Sequence, residues 1–389
     1  MNGLPSWSRR QWLQCSSRLT ASVILAARFP ECMGRSCAHA DDAPRRNVPW
    51  LAEVQQPPAP PIAANPRVTP LLLDAAGQPI ATADAWQTRR RQLLERWAKI
   101  LGLEHVPRPS RPKVVELGME RVGDVERRLI RYETHAGWTA DAYLLRPAAG
   151  SPLDRGSLPA AIALHSTVDH TIRQPGGLEG PPEKFFGLKL AQRGFACICP
   201  RNYLWPEISG RIAAQGEAER FLKQFPGATG MAKMLHDAQI ALDILLAEPR
   251  VDAQSVTAVG HSLGAKEVLH LAAFDERVTC TVSSEGGVGV KFSNWDAPWY
   301  LGAQVRDPSF TADHHELLGV IAPRPFLLVG GNSADGDASW PFIDAALPVY
   351  RLLDKHAPRI GLLNHKQGHA IPPAVEPRLY EWIERYGRS

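Results

Sequence analysis

The chain has 389 residues, 44% hydrophobic and 22% charged. That is the balance of an ordinary folded protein and excludes a disordered, collagen-like or coiled-coil chain. Lys and Arg number 44 against 40 Asp and Glu, a net charge of +4, which argues for a nucleic-acid partner only if it is concentrated in one stretch.

The charge is concentrated, but in the wrong place for a binding surface. Residues 1–40 carry Arg9, Arg10, Arg18, Arg28 and Arg35 against the single acid Glu31, which accounts for the whole excess. The same stretch has paired arginines in Ser8-Arg9-Arg10-Gln11-Trp12-Leu13, a short apolar run from Leu19 to Ala27, and Ala38-His39-Ala40. A basic segment, an apolar segment and an A-x-A site predict a secretory signal, and the paired arginines resemble a twin-arginine signal. The apolar run is far below the roughly twenty residues a membrane span needs. The expectation is an exported protein with no membrane attachment once residues 1–40 are removed, periplasmic or secreted. The rest is formally neutral, so no nucleic acid is expected.

Residues 41–83 are rich in Pro and Ala (Gln56-Pro57-Pro58-Ala59-Pro60-Pro61) and predict an extended arm. The catalytic domain is expected over 84–389. Residues 84–101 predict a helix with Trp86, Leu93, Leu94, Trp97 and Leu101 on one face. From Val114 to Leu145, alternating residues around His135-Ala136-Gly137 predict an antiparallel hairpin. After it, apolar strands alternate with helices. Strands are expected at 160–165, 195–200, 255–260, 278–284, 325–331 and 360–364. Helices are expected at 185–192, 231–246, 266–273, 341–353 and 377–386. This grammar predicts an α/β fold whose central sheet is mostly parallel, with helices on both faces and the hairpin at its N-terminal end. Cys197, Cys199 and Cys280 sit in apolar runs and read as buried thiols, not a disulfide framework.

Val256-Thr257-Ala258-Val259 runs directly into Gly260-His261-Ser262-Leu263-Gly264. A nucleophile at a sharp strand-to-helix turn needs small flanking residues, and the following helix aims N–H groups at a developing oxyanion. The pentapeptide alone is a weak signal; the strand before it and helix after it make it specific for Ser262 as nucleophile. A serine nucleophile needs a base, and the base an orienting acid. His369, after Gly368 in the loop beyond the 360–364 strand, is the expected base, with His365 its competitor. Three residues compete for the acid. Asp335 and Asp337 follow the 325–331 strand, and Glu285 follows the 278–284 strand. The oxyanion donors are expected to be the N–H of Leu263 and an N–H near Ser166 or Thr167, in the loop after the 160–165 strand. His165 and His170 in that loop have no carboxylate at ligand spacing, so no metal is expected, and no other cofactor.

The stretch from about 85 to 386 resembles an α/β-hydrolase. It is similar to the dienelactone-hydrolase and acetyl-xylan-esterase group and to the glucuronoyl esterases. The motifs that carry the second likeness are Gly260-His261-Ser262-Leu263-Gly264-Ala265-Lys266, Ser284-Glu285-Gly286-Gly287-Val288-Gly289 and Glu316 to Pro325. The resemblance implies a Ser-His-acid esterase in which Lys266 contacts substrate and the acid stands at Glu285, or after the later strand as Asp335 or Asp337 would. Glucuronoyl esterases carry Arg directly after the nucleophile; here that residue is Leu263, which moves the expectation toward a simple acyl-esterase site. Trp295 and Trp299 lie in a loop soon after Glu285, and with Trp340 and Trp205 they are candidate sugar platforms or core plugs. The expected substrate is a small-molecule or polysaccharide ester, above all an acylated carbohydrate. The rivals are a prolyl-oligopeptidase-like peptidase and a non-catalytic carbohydrate-binding protein on the same fold. The sequence carries no signal of oligomeric state.

Overall fold

The computed structural model describes residues 47–65, 67–107, 112–354 and 357–388. The expected signal segment, its Ala38-His39-Ala40 site and the start of the Pro-rich arm lie outside them.

Among the described residues, nine strands form one sheet. They are β1 (Val114–Val122), β2 (Val125–His135), β3 (Trp138–Pro147), β4 (Leu158–Leu164), β5 (Ala196–Pro200), β6 (Val251–His261), β7 (Cys280–Ser284), β8 (Phe326–Gly330) and β9 (Ile360–Asn364). Their spatial order is β1-β2-β3-β5-β4-β6-β7-β8-β9. Pairing is antiparallel from β1 through β3 to β5 and parallel from β5 to β9. The N-terminal hairpin is thus a three-stranded antiparallel unit. Its first strand lies at the sheet edge and is exposed along almost its whole length, so it carries no burial alternation for a sequence reading to detect.

The helices are α1 (Ala83–Leu101), α2 (Phe186–Ala191), α3 (Ala214–Gln224), α4 (Gly230–Leu246), α5 (Leu263–Phe274), α6 (His315–Ile321), α7 (Trp340–Leu353) and α8 (Glu376–Tyr386). Both sheet faces are covered, and the strands alternate between two cores. On β4, Ala160, Ile162 and Leu164 face the core built with α4 to α7, whereas Ala161 and Ala163 face the one built with α2 and α8. This is why the parallel strands read as continuous apolar runs. The sequence reading did not separate out α3 and α6. The latter is seven residues long and wholly buried, so no polar face betrays its helical period.

Helix α1 begins with the Thr82 hydroxyl accepting the Ala85 N–H at 3.2 Å and ends at Gly102, whose φ of 69° suits a residue without Cβ. Trp86, Leu93, Trp97 and Leu101 are buried as the periodicity requires. The arm does not stand free: Val48, Leu51 and Val54 are buried in the second core, and the Gln55 side-chain amide donates to the Ile360 carbonyl at 3.0 Å on β9. Cys197, Cys199 and Cys280 are free and buried; burial pushes the Cys280 thiol up to about 12, so it is an inert core group.

Candidate active site

Strand β6 ends at His261 and α5 starts at Leu263, so the whole change of direction falls on Ser262. Its backbone sits at φ 59°, ψ −114°, a region that costs a side-chain-bearing residue of order 1–3 kcal/mol. The surrounding contacts hold it there. The Ser262 N–H donates to the Ser284 carbonyl at 2.8 Å. A Cβ on Gly260 would strike the backbone of Gly264, and one on Gly264 would strike the Leu164 carbonyl. Both flanking glycines are therefore required by close approach.

The turn that carries Glu285 lies one strand away. Register pairs His261 with Ser284, which brings Glu285 alongside the elbow. Glu285 is itself at φ 56° and buried. One carboxylate oxygen accepts the Gly331 N–H; the other accepts the Ala334 N–H at 2.7 Å and lies 3.2 Å from His369 Nδ1. Burial alone would raise this carboxyl. The hydrogen bonds from His369, Ala334 and Gly331 outweigh it and hold the group below its ordinary value, so Glu285 is a carboxylate at neutral pH.

Asp335 and Asp337 are placed elsewhere. Asp335 accepts the N–H groups of Gly287 and Val288 at 2.7 Å each and the Ser339 hydroxyl at 2.9 Å, so both of its oxygens are occupied in shaping the turn after Glu285. Asp337 accepts from the Asn364 amide at 2.7 Å and pairs with Lys366 at 3.0 Å, tying the loop after β8 to the loop after β9. Neither is paired with His369. His365 accepts the Gln367 N–H at 3.1 Å and shapes a local turn.

His261, which the sequence reading passed over, joins the same three segments. Its Nδ1 lies 3.0 Å from the Ser284 hydroxyl, and its ring packs on His369 with centroids 4.7 Å apart. Burial, with Lys184 and His369 nearby, pushes it well below the ordinary histidine range, so it stays neutral.

The Ser166 N–H is committed to the Gln174 side-chain oxygen at 3.0 Å, which removes it from the expected pair of oxyanion donors. Thr167 is exposed, and its N–H has no partner among the described residues. The Leu263 N–H opens α5, where no intrahelical acceptor exists.

Lys266 and Trp295 are both core residues. The Lys266 ammonium is buried without a hydrogen-bond partner, 3.9 Å from the Trp295 ring centroid and 5.0 Å from that of Tyr300. Burial pulls it down to about 7. Trp295 is fully buried and donates its indole N–H to the Gly287 carbonyl at 2.8 Å. Trp205 is buried too. Trp299 is partly exposed and Trp340 is 9% exposed. No group of three or more His, Cys, Asp or Glu among the described residues is arranged to hold a metal.

Residues 176–320 match the model of the dienelactone hydrolase family, a span that takes in Ser262 and Glu285 and stops before His369. Among solved structures, a glucuronoyl esterase from Solibacter usitatus superposes with a TM-score of 0.62 at 18% identity, over 81% of this chain and 96% of that one. A carbohydrate esterase family 15 glucuronoyl esterase from Caldicellulosiruptor kristjansonii gives 0.57 at 19%, over 82% and 89%. An acetyl-xylan-esterase candidate from Bacteroides fragilis gives 0.54 at 14%, over 79% and 84%.

The fold is that of the α/β-hydrolases. No curated protein sequence matches the chain. On this hydrolase frame Ser262, Glu285 and His369 occupy the ends of β6 and β7 and the loop after β9, in the chain order Ser, acid, His that the fold uses.

Proposed function

We propose that this protein is a serine esterase acting on carboxylic esters of carbohydrates, with Ser262 as nucleophile, His369 as general base and Glu285 as the orienting acid. The observation that carries the reading is the 3.2 Å approach of Glu285 to His369 beside a strained serine at a strand-to-helix elbow. His369 takes the Ser262 hydroxyl proton as Oγ bonds to the ester carbon. The carbonyl oxygen becomes an oxyanion, held by the N–H groups of Leu263 and Thr167. The carbon–oxygen bond to the leaving alcohol then breaks, and His369 hands that oxygen its proton. Water, deprotonated by His369, releases the acid by the same steps in reverse order.

The carbohydrate assignment is supported by the named activities of the similar structures and by Trp299, the candidate platform that keeps exposed surface. Leu263, in place of the arginine expected of glucuronoyl esterases, favours an acyl group that needs no side-chain cation at the oxyanion. Export follows from the arginine pair and apolar run of residues 1–40.

Purified protein should hydrolyse p-nitrophenyl acetate and release acid from a panel of acetylated and uronoyl-ester sugars, and Ser262→Ala should abolish both. Activity retained in Ser262→Ala would refute the nucleophile. A wild type inert on the whole panel would favour a binding protein. N-terminal sequencing of the exported protein should begin near Asp41; an intact Met1 on cytoplasmic protein would refute the signal.

A further inference from the structure

From the geometry of the loop after β4 we infer that His165 is a positioning residue of the oxyanion hole, holding the Ser166–Thr167 peptide so that the Thr167 N–H faces Ser262. The inference rests on the esterase reading above and adds to it the group that sets this donor's direction.

Both ring nitrogens of His165 are spoken for. Nε2 accepts the main-chain N–H of Asn202 at 3.1 Å, and Nδ1 lies 2.7 Å from the Ser166 carbonyl oxygen. An N–H can only donate, so Nε2 carries no proton. The proton is on Nδ1, which donates to Ser166. The tautomer is thus dictated by Asn202. The ring is buried and meets Trp205 edge-on, with centroids 5.0 Å apart. Burial, opposed by the Ser166 bond, brings it down to about 4, so the ring remains neutral through the working pH range.

The carbonyl of Ser166 and the N–H of Thr167 belong to one peptide unit. In a trans peptide they point in opposite directions. Strand β4 lies between β5 and β6. Asn202 follows β5, so His165, and with it the Ser166 carbonyl, is drawn to the β5 side. The Thr167 N–H is therefore turned to the β6 side. Leu164 pairs with Gly260 in parallel register, which sets Ser166–Thr167 level with Ser262–Leu263. Gln174 takes the Ser166 N–H and so pins the preceding peptide as well. A flip of the 166–167 peptide would cost the Nδ1 bond and put an oxygen where the oxyanion needs a donor.

Two variants separate the two ends of the ring. His165→Asn places an amide N–H near the Nδ1 position and keeps a donor for Ser166. His165→Gln reaches the Nε2 position and keeps an acceptor for Asn202, but loses the Ser166 donor. On p-nitrophenyl acetate, His165→Gln should lose about 100-fold in kcat with KM changed less than about 3-fold, and affinity for an alkylboronic acid should fall by the same factor as kcat. His165→Asn should stay within about 10-fold of wild type on both.

Equal losses in the two variants, or unchanged boronic-acid affinity in a folded His165→Gln, would overturn the inference. Should His165→Gln fail to fold, as read by its melting temperature, a folded His165→Asn with a 100-fold loss in kcat still overturns it. A wild type that neither cleaves the ester nor takes up a fluorophosphonate at Ser262 would bring down the esterase reading beneath it, an outcome distinct from an active enzyme indifferent to His165.

Discussion

Glu285 and His369 are 84 residues apart in the chain, yet the carboxylate of one lies 3.2 Å from the imidazole of the other. The approach is fixed from both ends. Glu285 is anchored by the Gly331 and Ala334 N–H groups. The His369 loop is bound back through Gly368, whose N–H donates to the Gly331 carbonyl at 2.8 Å. A Cβ on Gly331 would collide with Gly368, so that glycine lets the two loops close on each other.

The pair makes Glu285→Gln the most damaging isosteric change to the acid. The amide cannot stabilise an imidazolium, so kcat on p-nitrophenyl acetate should fall by about 10²–10⁴; its NH2 must also face the Gly331 or the Ala334 N–H, so stability should fall by about 1–3 kcal/mol. Asp337→Asn should stay within about 10-fold, since that carboxylate serves a half-exposed loop contact. An Asp337 variant as crippled as Glu285→Gln would reverse the assignment.

Asp335 has a structural task, and its loss should be read in stability. Asp335→Ala strands the buried N–H groups of Gly287 and Val288, a cost of about 3 kcal/mol in urea denaturation. A change below about 0.5 kcal/mol would mean that water replaces the carboxylate.

Lys266 gives a prediction in pH. Its folded value is about 7 because of burial, against about 10.4 in an unfolded chain. Between those values the unfolded state binds the proton and the folded state does not, so wild-type stability rises with pH across that window. Below pH 7 both states are charged and that stabilisation is absent. The advantage of Lys266→Met over wild type should therefore be greatest near pH 6 and shrink toward pH 10, by on the order of 4 kcal/mol. Parallel stability curves for the two proteins would show that the ammonium finds a partner in solution.

Gly264→Ala tests the contact between the elbow and β4. The added methyl meets the Leu164 carbonyl, three residues before Thr167, the donor proposed above. It should destabilise the protein by about 1–3 kcal/mol and depress kcat more than KM. An alanine variant with wild-type melting temperature and activity would mean the strand end can yield.

Local chemistry made the frame and the serine elbow readable. Continuous apolar strands separated by helical periods announce a covered parallel sheet, and Gly-x-Ser-x-Gly between a strand and a helix announces a steric solution to one tight turn. Both are written within a few consecutive residues. The same holds for the charge excess, which sits in residues 1–40 and leaves the remainder neutral.

The acid was not readable, because Glu285, Asp335 and Asp337 all follow strands of the same sheet and any of them has the right chemistry. Only the tertiary structure gives each of them different partners. Register puts Glu285 beside the elbow, while the turn after β8 spends Asp335 on Gly287 and Val288 and Asp337 on Lys366 and Asn364. The same is true of Trp295, buried where a loop platform was conceivable, and of His165, whose tautomer is set by the Asn202 N–H that follows β5. Backbone sterics and periodicity act between near neighbours and survive in the sequence. Which lone pair meets which N–H across a sheet is settled by contacts between distant segments, which exist only once the chain has folded.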